Sequence, residues 1–506
     1  MQSNAVDILT SYVDALHPII YINHFDFKVI DEVISKVSKT ARKVEFNNAL
    51  GFVDFNDKHP MYETSLENFL KQVMDYGFGK ETFVILKDVH NELKNPKIIA
   101  LLKKIAEDNV YRDGYHATIF IISAALVIPE ELENFITIFD VPLPDVQEIK
   151  GIIAEYASDL DIKVSPDVID EIALSFKGLN EFQIQQILNL AYRDGGDIKI
   201  DDKRLIITEK QQLVKKSGML EIVDFREKID DIGGLNNLKQ WLRRKAKIFK
   251  DLDRAIKFGV DVPKGILIVG MPGCGKSLTA KATAHLFELP LVRLDVGRLL
   301  GKYVGESENN MRKALKLAEA ISPCVLWIDE LEKAFAGVGS SIGGNEVTTR
   351  LFGQFLTWMQ EKESSVFIVA TANNIAKMPP EFMRKGRFDE LFFVDLPDPD
   401  ERRSILRIHL EKRGKWNSEI DTIALTKKTD GYSGVDLEAV VKNAIEEAFI
   451  NDVSEITTND LLNSVKRTKS ISVTLKDKIK ELRDEIQKYD FMEANSSEKK
   501  ELVKNV

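Results

Sequence analysis

The chain has 506 residues, enough for roughly two to four domains. Its formal net charge of −10 argues against a protein whose main task is gripping nucleic acid, and an apolar fraction of 44% supports ordinary globular cores. The two cysteines, Cys274 and Cys324, have no histidine spacing nearby, so neither a structural disulfide nor a zinc site is expected, and a reducing compartment is the natural reading.

Residues 1–22 carry Asp7 and Asp14 and no basic start before an apolar run, so neither a standard secretory signal nor an Arg-rich transit peptide is expected. The longest apolar stretch, 117–129, is too short to span a bilayer and reads as a core strand with its flanks. The strand Ile19-Ile20-Tyr21-Ile22 runs into Asn23-His24-Phe25-Asp26-Phe27-Lys28, with no glycine to admit a phosphate. The strand Thr82 to Leu86 ends in Lys87-Asp88-Val89-His90, with Lys87 where a metal-side carboxylate would be needed. Asp88 and His90 are open to another chemistry, though a lone His at a strand end is more often structural.

An internal repeat follows. The segment Ile138-Phe139-Asp140-Val141-Pro142-Leu143-Pro144-Asp145 resembles Leu391-Phe392-Phe393-Val394-Asp395-Leu396-Pro397-Asp398, 253 residues on. The same offset pairs Glu148 with Glu401, Gly178 with Gly431 and Ala191 with Ala444. We read two copies of one strand-plus-helical-lid unit, the first without its chemistry. The expected domains are 1–195 (degenerate), 196–221 (helical connector), 222–398 (α/β core), 399–470 (helical lid) and 471–506 (helix and tail). The capping-box spacing at Thr208-Glu209-Lys210-Gln211 predicts a helix starting there and stopping at Gly218. Apolar residues at 475, 479, 482 and 486 predict an amphipathic helix, with a frayed tail after Met492.

The chemistry concentrates in the second copy. Gly270-Met271-Pro272-Gly273-Cys274-Gly275-Lys276-Ser277 satisfies G-x-x-x-x-G-K-[ST], after a buried-looking strand and before a helix that opens at Leu278. Backbone N–H groups at such a loop cradle phosphate oxygens, Lys276 reaches the β- and γ-phosphates, and the Ser277 hydroxyl ligates Mg²⁺. ATP and Mg²⁺ are the expected ligands, with the loop residues through Leu278 as contacts. The run Cys324-Val325-Leu326-Trp327-Ile328 ends in Asp329, suited to the metal side, and Glu330, suited to polarising the attacking water. A further strand, Ser365 to Ala370, leads to Asn373, with Asn374 the fallback, as an amide for γ-phosphate and water. Then Met383-Arg384-Lys385-Gly386-Arg387-Phe388-Asp389 projects arginines from a turn.

In this order, residues 226–465 resemble the AAA family of ring-forming ATPases. The resemblance implies a P-loop NTPase α/β fold, with a three-layer α/β/α core and a helical lid, preceded here by a degenerate AAA-like α/β domain. It implies that Asp231, Ile232 and Gly233 frame the adenine, and that Arg384 and Arg387 are fingers acting in trans on the neighbouring subunit's nucleotide. Gly434 and Val435 lie in the lid signature Gly431 to Asp436, where the family commonly has Ala at the Val435 position. Tyr303 matches the first pore loop, and the Gly/Ser-rich stretch 339–344, expected to be mobile, is a candidate for the second. A closer resemblance is to the AAA proteins of a conserved hypothetical chloroplast reading frame, found in algal plastids, cyanobacteria and other bacteria. It rests on the phosphate loop, on Phe355-Leu356-Thr357-Trp358-Met359-Gln360-Glu361, on the connector 209–221 and on the glycine-free first half. Together these imply a homo-oligomer, hexameric in the family's manner, acting on a protein client in bacterial cytoplasm or plastid stroma. The alternative is a nucleotide-gated binding module with slow turnover, whose first half holds the partner.

Overall fold

The computed structural model describes residues 2–74, 79–299, 306–335 and 346–495. The chain divides into two compact units, Met1–Lys203 and Arg204–Val506. Each is built on one seven-stranded sheet.

In the first unit the strands are β1 (Ile19–Asn23), β2 (Arg42–Asn47), β3 (Gly51–Val53), β4 (Pro60–Tyr62), β5 (Thr82–Lys87), β6 (Ala117–Ser123) and β7 (Ile136–Phe139), in the order β4-β3-β2-β5-β6-β1-β7. In the second they are β8 (Leu220–Ile222), β9 (Gly265–Gly270), β10 (Leu291–Leu294), β11 (Cys324–Ile328), β12 (Val366–Ala372), β13 (Glu390–Val394) and β14 (Met492–Glu493), in the order β14-β13-β9-β12-β11-β10-β8. The central strands of both sheets are parallel and lie in the same order: β7-β1-β6-β5-β2 corresponds to β13-β9-β12-β11-β10. The central strands β5, β6, β9, β11 and β12 are buried along their whole length, because helices cover both faces. One apolar cluster lies on each face of each sheet.

Each sheet is followed by helices whose starts are capped alike. Asp145 and Glu148 form a capping box at the helix Val146–Asp159, as Asp398 and Glu401 do at Pro399–Lys412. Asn180 and Gln183 form the next, as Ser433 and Asp436 do at Gly434–Ile450. Both pairs keep the 253-residue offset. Two side chains satisfy orphan N–H groups at the same turns in both copies.

Two local expectations need correction. The helix expected from Thr208 runs Lys203–Ser217, so Thr208 lies within it. A capping-box spacing does not stop a helix when the residues before it also form helix. Its end at Gly218 (φ +65°) is as expected, and Val214 and Lys210 are buried in the second unit. The tail is not frayed directly after Met492. Met492–Glu493 pairs with β13, and Ala494 is fully buried.

Candidate nucleotide site

At the C-terminal end of β9 the chain turns through Gly273 (φ +74°) and Gly275 (φ +87°) into the helix Lys276–Phe287. Those left-handed positions favour glycine and aim backbone N–H groups inward. Gly270 has a different reason to be glycine. A Cβ there would lie 2.1 Å from the Val394 carbonyl oxygen on β13, and Gly270 does not line the cleft.

A cleft of about 900 Å³ opens over this loop. It gathers Pro272 to Leu278, Asp329, Glu330, Asn373, Asp231 to Gly233, and Gly434 with Val435. These come from three strand ends, the segment before the helix Asn236–Lys250, and the lid. The lid meets the loop directly, since Val435 N donates to Gly273 O at 3.1 Å.

Lys276 is buried, and its Nζ donates to Gly270 O at 2.8 Å and Met271 O at 2.7 Å. Burial lowers its pKa to about 8, against the opposing pull of nearby acids. Ser277 Oγ donates to Asp329 Oδ1 at 3.1 Å. Glu330 has φ +53°, and its Oε1 accepts from Lys333 Nζ at 2.6 Å and from Asn373 Nδ2 at 3.4 Å. Carboxylate and amide thus share one pocket edge. Asn373 N in turn donates to the buried Glu332 at 3.1 Å. Burial first, and then the like charge of Glu330, raises the Glu332 pKa.

A hydroxyl and a carboxylate side by side at the foot of a phosphate cradle are hard oxygen donors of the kind Mg²⁺ takes, with the remaining positions left to phosphate and water. The residues present fit the metal. No cluster of three or more His, Cys, Asp or Glu suited to a protein-only cage occurs among the described residues.

Several cleft residues had escaped the sequence reading. Thr371 donates to Asp329 Oδ1 and accepts from Glu330 N at 3.2 Å, holding both acids. The helix Pro399–Lys412 presents Glu401, Ile405, Ile408, His409 and Lys412. Their spacing of three and four was a visible signal of one helical face. Burial lowers the His409 pKa. Lys412 pairs with Asp231 at 3.2 Å, and Arg413 with Glu438 at 2.9 Å.

Arg384 and Arg387 do not line the cleft. Arg384 is exposed, and the Arg387 guanidinium donates to Glu381 O. Their turn is tied to the far end of β9: Asp389 Oδ2 accepts from Lys264 N at 2.9 Å and Gly265 N at 3.1 Å. Tyr303 and residues 339–344 lie outside the described residues.

The repeat can now be read through the strand ladder. With Pro144 set on Pro397, the pairings carry Lys87 onto Asp329, Asp88 onto Glu330 and Ala124 onto Asn373. Asp88 (φ +56°) and Glu330 (φ +53°) even share the left-handed backbone. In the first unit Lys87 bridges Asp31 at 2.8 Å and Glu45 at 2.9 Å. His90 Nδ1 meets Ser123 Oγ at 2.8 Å, and Ser123 is fully buried, so the pair is a packed contact.

A P-loop sheet of this strand order, an Asp-Glu strand end and a helical lid over the loop define a AAA ATPase. Residues 266–396 match the family described as "ATPase family associated with various cellular activities (AAA)". Residues 5–141 and 147–217 match the N-terminal and second domains of SpoVK-like AAA ATPases. The chain is 40% identical over 480 residues to "Uncharacterized AAA domain-containing protein ycf46" of Guillardia theta, covering 93% of this chain and 92% of that protein. It is 33% identical to the protein of that name from Trieres chinensis, over 91% and 92% of the two chains. Human "ATPase family gene 2 protein homolog A" is 35% identical over 226 residues, which is 44% of this chain and 25% of that one. The chain belongs to the AAA ATPase family, alongside the proteins named ycf46.

Proposed function

We propose that the protein hydrolyses ATP with Mg²⁺ in a ring of six identical subunits and uses the cycle to remodel a protein client. The observation that carries the ring is the placement of the arginines. Asp389 holds their turn at the Gly265 end of β9, while the phosphate loop leaves from the Gly270 end. Five residue steps of strand separate the two ends by about 16 Å. That distance, and the absence of both arginines from the cleft lining, supports service to a neighbour's γ-phosphate.

Lys276 leaves its two loop carbonyls to meet the β- and γ-phosphates. Ser277 and Asp329 would hold Mg²⁺, whose chemistry there would be to neutralise charge on the phosphate oxygens. Glu330 accepts the proton of the attacking water, Asn373 orients that water, and Thr371 fixes Glu330 through its backbone N–H. Asp231, Ile232 and Gly233 frame the base beneath Gly434 and Val435 of the lid. Arg384 and Arg387 of the next subunit stabilise the charge on the transferring phosphoryl group. Tyr303 is assigned to the channel, where an aromatic ring grips a chain without reading its sequence.

The test mixes two inactive variants. Glu330→Gln lacks the base but keeps both arginines, and the double variant Arg384→Ala/Arg387→Ala lacks the fingers but keeps the base. Phosphate release should recover on mixing, because some interfaces then combine an intact base with intact fingers. No recovery, with both variants binding ATP and assembling, would refute service in trans.

A further inference from the structure

After the lid, the chain returns to the core. The helix Lys476–Ile486 buries Ile479, Leu482 and Ile486, and Arg483 grips Asp395 through Nη2 at 2.9 Å and Nε at 3.1 Å. Met492–Glu493 then lies beside β13 as an edge strand, and Ala494 N donates to Phe393 O at 2.8 Å. Its last described residue, Asn495, lines the nucleotide cleft.

This segment makes five further hydrogen bonds, four to the start of the helix Asn236–Lys250 and one to Glu401. The Ala494 carbonyl accepts from Asn237 N at 3.1 Å and Leu238 N at 3.3 Å. That serves the first turn of the helix Asn236–Lys250, whose own N-cap residue, Leu235, offers no side-chain acceptor. Asn237 Nδ2 donates to Glu493 O at 3.1 Å and Asn495 O at 2.7 Å. Asn495 Nδ2 donates to Glu401 Oε2.

Glu401 is the joint. It is 4% exposed, and burial raises its pKa. Its Oε1 accepts from Leu235 N at 2.9 Å and its Oε2 from Asp398 N at 3.1 Å. Leu235 has φ +54° and Gly234 φ +77°, a turn that non-glycine residues rarely adopt unaided. A Cβ on Gly234 would lie 2.3 Å from Glu401 Oε1, so the carboxylate presses directly on that turn. Ile232 and Gly233, which frame the base, come immediately before it.

We propose that the segment 492–495 is a strap that positions the purine-recognition turn: Asn495 holds Glu401, Glu401 and Ala494 hold residues 234–238, and the turn sets the base-side wall of the cleft. The proposal rests on the ATP-site reading above. Asn495 is therefore a positioning residue that acts through Glu401, and its loss weakens nucleotide binding and base selectivity while leaving the chemical step alone.

The experiment uses the full chain with Asn495→Ala, Asn495→Asp and, at the other clamp, Asn237→Ala. KM for ATP should rise about tenfold in the Ala variants, equivalent to about 1.4 kcal/mol. Asn495→Asp, which sets a second carboxylate against Glu401, should raise it further. In all three kcat should stay within about twofold, and the preference for ATP over GTP should shrink. Thermal melting of each variant separates this from general loss of fold. A fall in kcat at unchanged KM, or unchanged KM and selectivity in folded Asn495→Ala, would overturn the strap. Failure of the ATP-site reading looks different: the unmodified chain would bind no ATP, and Lys276→Ala would change nothing.

Discussion

Replacing Lys87 with Met tests whether the first unit has exchanged a metal site for an internal ion cluster. Lys87 and Glu45 have side chains 3% exposed, and Asp31 is 13% exposed. Removing one partner of such a cluster strands the remaining charge, which costs about 3–5 kcal/mol. Lys58, 40% exposed, still faces Asp31 at 2.9 Å and Glu45 at 2.6 Å, so the lower end, about 3 kcal/mol, applies. For a unit of this size a urea dependence near 2–3 kcal/mol per molar converts that to a midpoint shift of roughly 1 M. The sequence supplies its own assay. All four tryptophans, Trp241, Trp327, Trp358 and Trp416, lie in the second unit. Far-UV circular dichroism should therefore show an early transition in Lys87→Met, while tryptophan fluorescence keeps its midpoint. A dichroism curve unchanged from the parent chain would refute the reasoning.

Three more outcomes are expected. Lys276 titrates near 8 because burial disfavours its ammonium, and a bound polyanion favours it, so binding takes up a proton above that pH. ATP affinity should hold level below pH 8 and then fall by up to about tenfold per pH unit; an isothermal titration series flat to pH 9.5 would contradict this. Gly270→Ala sets a methyl group 2.1 Å from a backbone oxygen of β13, where nothing flexible can yield. The second unit should lose about 3 kcal/mol, read as a lower tryptophan-fluorescence midpoint. Asp389→Ala frees the arginine turn from Lys264 N and Gly265 N, and turnover of the assembled protein should fall about 10- to 100-fold with ATP binding unchanged.

What the sequence made legible was local. The phosphate loop, Asp329-Glu330 and Asn373 are each fixed by a strand that reads as buried and by the residues that leave it. Lys87 was legible too, because one cation at a strand end where an acid would be needed is visible without coordinates. Contacts that bridge long separations were not. Glu401 reaches Leu235 across 166 residues and Asn495 across 94, and no periodicity announces either. The segment after Met492 is short and polar in pattern, so only its pairing with β13 reveals its order. Gly270 was expected to be glycine for the phosphate, whereas its sheet neighbour is what excludes a side chain. Thr208 shows the opposite failure, a local signal overruled by the helix around it.

In the ring proposed above, the two ends of β9 serve different nucleotides. One opens into the subunit's own phosphate cradle, and the other anchors the cations offered to the next molecule round the circle. A short rigid rod clamped at both ends couples them, so a displacement at one end is felt at the other. Such a circle would have its head-to-tail order written into a single six-residue strand.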